Sequence, residues 1–268
     1  MSGRISATFA RLRAEGVAGF VPFIMAGDPD LGVTRELLRV AAEAGADLIE
    51  LGVPFSDPMA DGPGLQRSAE RALAAGTTLT GVLELVAEFR RESAIPVVLF
   101  GYANPFLRYG AERLARDAVT SGADGVLCVD LPPEEADDLQ VATDAAGLDL
   151  IFLLAPTSDG PRIEQVRARA RGFVYYVSIT GTTGAAAPDP NEVAGMVETV
   201  RARVGLPVGV GFGITGPEQA AKLARVADAV VVGSAVMRLV EDHPGAALLP
   251  AAREFLRGLA VAVHTARR

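Results

Sequence analysis

The stretch TRELLRVAAEAGADLIELG, residues 34–52, contains one complete structural unit of this chain. Residues 34–46 carry apolar side chains at the i, i+3 and i+4 spacing of an amphipathic helix, and residues 48–52 form a short apolar run typical of a buried parallel strand. The order helix, Gly-Ala-Asp, strand returns at residues 122–129 (GADGVLCV), with an echo at residues 226–232 (VADAVVV). The repeat indicates a chain built from successive βα units.

Apolar, β-branched runs of this kind occur eight times. We predict strands at residues 19–24, 48–52, 96–101, 125–129, 149–153, 173–177, 207–211 and 228–232. Eight βα units in 268 residues predict an α/β protein with a single TIM-type (β/α)8 barrel domain over residues 1–268, with extra helices; an open doubly wound sheet is the alternative. The longest interval, between the second and third strands, holds PFSDPMADGPG (54–64) and an extra helical stretch. A loop of this length in a compact domain usually belongs to a functional site.

The charge balance limits the partners of the chain. Acidic residues outnumber basic ones, 33 to 25, which gives a formal net charge of −8 and argues against nucleic acid or an anionic membrane. No basic, apolar leader is present at the N-terminus, and no apolar run approaches the roughly 20 residues of a membrane span. We therefore predict a cytoplasmic protein with no membrane association.

Several reactions are excluded by residues that the chain lacks. The only lysine, Lys222, falls in a helical pattern rather than at the end of a strand, where a Schiff-base aldolase needs it. The two histidines, His243 and His264, lie outside the strand ends, and the one cysteine, Cys128, lies in an apolar strand where packing is its expected role. We predict no metal site and no intrachain disulfide, so any carbon–carbon cleavage must depend on acid/base chemistry alone.

Glu50 is the leading candidate for that chemistry. Both faces of a parallel strand are normally apolar, so a glutamate in the second strand requires an explanation. If it points into the barrel near the C-terminal mouth, burial raises its pKa and suits it to general acid/base work; an outward position paired with an arginine is the alternative. Asp57 and Asp61 follow in a loop framed by prolines and glycines, although surface aspartates in turns are common and Asp57 alone remains undecided.

Glycines of the last third predict a phosphate site. They are Gly181 and Gly184 in SITGTTG, Gly211 and Gly213 in GFGIT, and Gly233, which precedes Ser234 at the start of a short helix. The loops after strands 7 and 8 and the N-terminus of an extra helix form the usual phosphate site of this barrel. The substrate class is therefore a phosphorylated small molecule. Tyr175 and Tyr176 alternate, so only one points inward, and the period does not decide which.

Six motifs resemble those of the tryptophan synthase alpha subunit family over essentially the whole chain. They are ELGVPFSDPMADGP (50–63), PFIMAGDP (22–29), GYANP (101–105), DLPPEE (130–135), SITGTTG (178–184) and GFGIT (211–215). The resemblance implies a barrel that cleaves indole-3-glycerol phosphate to indole and glyceraldehyde 3-phosphate with no cofactor of its own.

The resemblance also implies roles for individual residues. Glu50 matches the general acid/base that protonates C3 of the indole and manages the substrate hydroxyl, and Asp61 matches the carboxylate that holds the indole N–H. The implied substrate contacts are Phe23, Phe100, Leu127, Leu153, Tyr175 and Thr183, and the implied phosphate cradle is Gly184, Gly213, Gly233 and Ser234.

A partner is implied as well. The family forms an α2β2 complex in which indole passes to a beta subunit that carries PLP, and the matching contact positions are Pro54, Asp57, Pro58, Asn104 and Pro132. The chain departs from the family pattern at Met25, at Gly64 and at Ala185–Ala187, which bears on the ordering of the two active-site loops and on coupling to the partner. Three alternatives remain: a freestanding lyase, a phosphosugar isomerase with Glu50 as base, and an inactive barrel that only activates a partner.

Overall fold

Eight parallel strands form a closed barrel in this computed structural model, which describes residues 3–177, 190–211 and 213–267. The strands are β1 Gly19–Met25, β2 Ile49–Gly52, β3 Val97–Gly101, β4 Gly125–Cys128, β5 Asp149–Leu154, β6 Val174–Val177, β7 Val208–Gly211 and β8 Ala229–Val232. They pair in sequence order, and β1 closes the ring against β8 with Gly19 opposite Ala229. The predicted barrel is therefore confirmed, each strand end falls within one residue of its prediction, and the open-sheet alternative is wrong.

Helices surround the barrel and add to its ends. Within the described ranges they are α1 Arg4–Glu15, α2 Leu31–Ala44, α3 Pro63–Ala74, α4 Leu79–Arg90, α5 Ala103–Tyr109, α6 Ala111–Ser121, α7 Asp137–Ala146, α8 Gly160–Arg169, α9 Pro190–Val204, α10 Pro217–Ala224, α11 Ser234–Asp242 and α12 Leu248–Thr265. Helices α1, α3, α5 and α11 are additions to the alternating pattern, and α3 is the extra helical stretch predicted after the second strand.

No single helix of the described chain has the length and apolar character needed to cross a membrane. Helices α3 and α4 meet that test only as a pair, with a bend of 94° between them.

The interior of the barrel is apolar toward its N-terminal end. Alternate strand residues, among them Val21, Leu48 and Val98, form one buried cluster with side chains of α1. Phe9 of α1 packs against Phe173 with ring centroids 5.6 Å apart, so α1 closes this end of the barrel. A second, larger cluster fills the layer between strands and helices. Polar side chains that point into the barrel are therefore expected near its C-terminal end.

The Gly-Ala-Asp repeat has a physical function at the N-terminal end. Asp47, Asp124 and Asp228 each precede a strand, and each side chain accepts a hydrogen bond from the backbone of the neighbouring strand and from an arginine. The backbone N–H of Phe20 donates to Asp47, that of Val97 to Asp124 and that of Val208 to Asp228, each at 2.9 Å. The arginine donors, in the same order, are Arg11 at 2.6 Å, Arg90 at 3.0 Å and Arg201 at 2.9 Å. The repeated aspartate thus ties adjacent βα units together.

Replacing Asp47 with Ala is expected to lower the free energy of unfolding by about 2–4 kcal/mol at pH 7, because it leaves buried donors unpaired. Burial alone would raise the pKa of Asp47, but hydrogen bonds from His264, the Phe20 N–H and Arg11 hold it below its usual value. A depressed carboxyl pKa stabilises the fold above the unfolded-state pKa, and that contribution is lost as the pH falls below about 4. Urea titrations at neutral and acidic pH measure both effects.

The matched control for this prediction is Asp137→Ala. The Asp137 side chain is 74% exposed although it pairs with Arg169 at 2.6 Å, so we expect a change within about 0.5 kcal/mol. An equal loss in the two variants would contradict the role given to the repeat.

Candidate active site

A cavity of about 470 Å³, counted with its opening to solvent, lies at the C-terminal end of the barrel. Its lining consists of Phe23, Glu50, Asp61, Leu65, Phe100, Tyr175, Gly213, Ile214, Val231, Gly233 and Ser234. All of these except Leu65, Ile214 and Val231 are residues that the sequence predicts for the site. Residues from six strands or the segments after them therefore converge on one space, as expected for the functional end of this barrel.

Glu50 lies inside the barrel, opposite Phe23 on β1 and Val98 on β3. Its side chain has no exposure to solvent, and neither carboxyl oxygen has a hydrogen-bond partner in the described structure. Burial raises its pKa to about 8, because the charged form loses its hydration without compensation. The predicted inward orientation and raised pKa are confirmed, and the alternative of an outward glutamate paired with an arginine is wrong.

Asp61 is the second carboxyl group of the cavity. It is 7% exposed, and burial raises its pKa to about 6, with a hydrogen bond to Tyr102 acting in the opposite direction. The loop around it is fixed by backbone contacts: the Asp61 N–H donates to the Pro58 carbonyl at 3.0 Å, and the Ala60 N–H donates to the Tyr102 hydroxyl at 3.1 Å. The two carboxyl groups therefore have different proton affinities in one cavity, which is a common basis for dividing acid and base roles.

Aromatic rings form one wall of the cavity. Phe23 and Phe100 pack edge to face with centroids 5.1 Å apart, and Phe100 lies 6.5 Å from Tyr175 in a similar arrangement. Tyr175 is the inward member of its pair, and Tyr176 faces the helices. A Cβ atom at Gly211 would overlap the Tyr175 ring, so this strand position needs a glycine to accommodate the tyrosine. A flat apolar ligand fits such a wall.

Two predicted substrate contacts, Leu127 and Leu153, are not among the described residues that line this cavity. Leu127 is fully buried inside the barrel and is absent from the cavity lining of the described residues. Leu153 is partly buried and lines a neighbouring groove with Val129 and Asp130. Both leucines pack in the buried cluster inside the barrel, where Leu127 lies opposite Phe100 and Leu153 lies opposite Tyr175.

Of the predicted phosphate residues, Gly213, Gly233 and Ser234 line the same cavity as Asp61. Gly213 has φ of +72°, a conformation that favours glycine, and Gly233 with Ser234 begins α11. The first N–H groups of a helix have no intrahelical acceptor, and they point with the positive end of the helix dipole toward an anion. Thr183 and Gly184, and the departure at Ala185–Ala187, lie outside the described residues.

The predicted partner positions differ in accessibility. Asp57 and Asn104 are exposed, Pro58 and Pro132 are partly buried, and Pro54 is buried, so Pro54 supports the loop from inside rather than presenting a surface. Two exposed apolar side chains that sequence reasoning missed lie in the same segments. They are Met59, which is 85% exposed, and Leu107, which is 48% exposed. Tyr102, the neighbour of Asp61, was missed too, since a tyrosine after a strand has no distinctive pattern.

Other reactive side chains lie away from the cavity. Cys128 is buried among the helices, where burial raises the pKa of its thiol, and Lys222 pairs with Glu218 at 3.2 Å on α10. His264 donates a hydrogen bond from Nε2 to the Asp47 carboxylate at 2.7 Å, at the other end of the barrel. Across the described residues, no group of three or more His, Cys, Asp or Glu side chains has the arrangement of a metal site.

The fold and the cavity define a (β/α)8-barrel protein with two buried carboxyl groups and a helix that begins at the cavity lining. The sequence profile described as "Tryptophan synthase alpha chain" matches residues 9–257. A tryptophan synthase alpha chain of Citrifermentans bemidjiense is 54% identical over 256 residues, 96% of each chain, and one of Burkholderia mallei is 57% identical over 240 residues, 89% of each.

A solved structure of tryptophan synthase subunit alpha from Legionella pneumophila superimposes with a TM-score of 0.92 at 39% identity, covering 98% of this chain and 99% of that one. A chain in a tryptophan synthase structure from Mycobacterium tuberculosis gives a TM-score of 0.90 at 35% identity, covering 98% of this chain and 99% of that one. The chain belongs to the tryptophan synthase alpha chain family, and so to the lyases of tryptophan biosynthesis.

Proposed function

We propose that this chain cleaves indole-3-glycerol phosphate to indole and glyceraldehyde 3-phosphate by a retro-aldol reaction, with no cofactor of its own. The observation that carries the proposal is the buried Glu50 carboxyl, which has no hydrogen-bond partner and faces a cavity shared with Asp61 and aromatic rings. An unpaired buried carboxyl costs stability, so its presence here favours a role in chemistry. The family resemblance of the surrounding motifs supports the same reaction.

Glu50 supplies and recovers the proton. With a pKa near 8 it is protonated at neutral pH, so it can donate to C3 of the indole ring. The resulting carboxylate then removes the proton of the substrate hydroxyl next to the ring. The bond between C3 and the carbinol carbon breaks, its electron pair returns to the ring, and the carbinol carbon becomes the aldehyde. Glu50 ends the cycle protonated, and the reaction is balanced without any other group.

Asp61 acts electrostatically in this proposal. Its pKa near 6 leaves it mostly ionised at neutral pH, and a carboxylate accepts a hydrogen bond from the indole N–H. Protonation at C3 places positive charge on the ring nitrogen, so the interaction is stronger in the transition state than in the ground state. The two carboxyl groups therefore work in opposite protonation states at one pH.

A direct assay tests the proposal. Purified chain and indole-3-glycerol phosphate should yield indole and glyceraldehyde 3-phosphate in equal amounts, with the aldehyde followed through a coupled dehydrogenase. A chain that releases no indole, alone or with a cognate beta subunit, would contradict the proposal and favour the phosphosugar isomerase or the inactive activator.

The phosphate cradle gives a separate prediction. Gly233→Asp and Gly213→Asp should weaken binding of inorganic phosphate and substrate by at least about tenfold, because each adds negative charge where the anion binds. Gly233 has room for a Cβ atom, 3.4 Å from Phe23, so the fold should persist, whereas a side chain at Gly213 also strains the backbone. Calorimetric titration with phosphate measures the loss.

The control for the cradle is Gly195→Asp in α9. Nothing lies within 4 Å of a Cβ atom there, and the position is exposed and away from the cavity. It adds the same charge, so unchanged phosphate affinity is expected. If the cradle variants also bound phosphate normally, the anion site would have to lie elsewhere.

The proposal includes a beta-subunit partner that carries PLP and receives indole in an α2β2 complex. Support comes from the exposed Met59 and Leu107, which add apolar surface beside Asp57, Pro58 and Asn104. In the proposed complex the beta subunit covers these two side chains together with the polar residues beside them. Pro132 lies in the third segment implied by the resemblance.

Domain organisation and cellular location complete the proposal. We assign residues 1–268 to one barrel domain, since α1 closes the barrel and α12 packs on α2 and α10. Cytoplasmic location, with no nucleic acid or membrane partner, stays a prediction from the acidic composition.

A further inference from the structure

Two helices outside the regular βα pattern carry the two ends of the proposed site. Helix α3 begins two residues after Asp61, and α11 begins at Ser234 of the phosphate cradle. The helices contact each other, and α3 and α11 both contact β1. A ligand that reaches both Asp61 and the cradle depends on the distance between these helices.

Charged side chains hold α3 and α11 together. Arg67 of α3 donates two hydrogen bonds to Glu241 of α11, from Nε and Nη2 to the two carboxyl oxygens, each at 2.9 Å. Arg71, one turn further along α3, lies 3.9 Å from the same carboxylate. A two-bond guanidinium–carboxylate pair restricts orientation as well as distance.

The same helix is also fixed to the loop after β1. Arg71 donates from Nε and Nη2 to the Asp28 carboxylate at 2.8 and 2.7 Å, and the Ser68 hydroxyl donates to it as well. Asp28 has no solvent exposure, while the Arg71 side chain is 33% exposed. A buried carboxylate that accepts three hydrogen bonds holds its donors rigidly. Helix α3 is therefore fixed to the loop after β1 through Asp28 and joined to α11 through Glu241.

We propose that Asp28, Arg67, Arg71 and Glu241 form a clamp that positions the Asp61 loop relative to the phosphate cradle. The inference rests on the proposed function, because the substrate must contact both places. These four are positioning residues: none lines the cavity, and they act through α3 and α11. The clamp makes phosphate binding at α11 favour the arrangement of Asp61 that stabilises the indole ring.

The Arg67–Glu241 pair provides the test, because both side chains are partly exposed and neutral variants should fold. Arg67→Gln and Glu241→Gln are each expected to lower kcat about three- to tenfold, since a small displacement of a catalytic group is costly. Inorganic phosphate contacts only the cradle, so its Kd should change much less than kcat does, by no more than the coupling to the Asp61 loop requires. The double variant should be no worse than either single variant, because both remove the same link.

Hydrogen exchange gives a readout that does not depend on turnover. Inorganic phosphate should slow amide exchange in residues 57–66 of the wild-type chain, and this protection should be lost in Arg67→Gln. Arg39→Gln is the matched control. Arg39 of α2 makes a similar pair with Glu92, which follows the end of α4, at 2.6 Å from Nε, and neither residue lines the cavity, so kcat and phosphate protection should equal wild type.

The outcomes separate the clamp from the reaction. A wild-type chain that makes no indole overturns the proposed function, and hydrogen exchange then still tests the clamp. An active wild type with normal kcat and normal protection in Arg67→Gln overturns the clamp. Additive losses in the double variant, or a phosphate Kd that weakens in parallel with kcat, would overturn it too.

Discussion

Replacing Glu50 with Gln is expected to lower kcat for indole release by about 10²–10⁴-fold while substrate affinity changes little. Glutamine keeps the shape of the side chain and its hydrogen-bonding capacity, but it neither donates a proton to C3 nor removes one from the hydroxyl. Phosphate and ring contacts lie elsewhere in the cavity, so binding should persist. Steady-state kinetics and substrate titration of the variant separate the two effects.

The same substitution should stabilise the fold at alkaline pH. Glu50 holds its proton to a pKa of about 8 in the folded chain but to its ordinary value of 4.5 when exposed. A raised carboxyl pKa means that the folded state binds more protons, so stability falls as the pH rises from about 4.5 and levels off above about 8. At one pKa unit per 1.36 kcal/mol, the expected gain for Gln is about 3 kcal/mol at pH 7 and near zero at pH 4.

Urea unfolding of the two proteins at several pH values checks the stability prediction. Glu254→Gln on the exposed face of α12 is the control, and its stability should follow wild type at every pH. Near-normal turnover of Glu50→Gln would remove Glu50 from the chemistry. A stability difference independent of pH would show that its carboxyl is not buried in the way described.

The barrel was predictable because its signals are local. Each strand is a short run of buried, β-branched residues, and the alternation within β2 alone places Leu48 and Glu50 on the inner face. Alternation shows that adjacent residues point to opposite faces but not which of the two points inward, so it left Tyr175 and Tyr176 undecided; Leu127 and Leu153, which the family resemblance implied as substrate contacts, do not line the cavity. The structure decides the tyrosine pair: Tyr175 packs inside the barrel against Gly211, where a Cβ atom would overlap its ring, and Tyr176 packs between strands and helices.

The side-chain contacts between segments at the C-terminal end of the barrel could not be predicted from the sequence. Arg67 and Glu241 are 174 residues apart in the sequence, and each lies on a helix face whose charged residues suggest only solvent exposure. Tyr102 likewise meets Asp61 only because the barrel places the segments after β2 and β3 side by side. The repeated Gly-Ala-Asp was visible as a pattern, but its meaning required the hydrogen bonds from the neighbouring strands.

A cognate beta subunit is expected to raise kcat of this chain by one to two orders of magnitude, about 1–3 kcal/mol of coupling. The physical basis is that one loop has two roles. Asp57 and Met59 are exposed on it, whereas Asp61, a few residues on, is buried in the cavity. The loop is short and internally bonded, so a partner that contacts its outer residues also changes the populations of Asp61 arrangements. Indole release with and without the beta subunit measures the coupling.

Asp57→Ala should diminish that activation more than it diminishes basal cleavage, because Asp57 is exposed and lies outside the cavity lining. Asp144→Ala is the matched control, since Asp144 is an exposed aspartate in the last turn of α7, toward the opposite end of the barrel. It should leave both rates unchanged. Full activity of the isolated chain, unaffected by any beta subunit, would instead identify a freestanding lyase. The departures from the family pattern at Met25 and Gly64 are then the first positions to restore, because the Met25 N–H contacts Met237 Sδ of α11 at 3.4 Å and Gly64 lies in the first turn of α3, close to Asp61 in the chain.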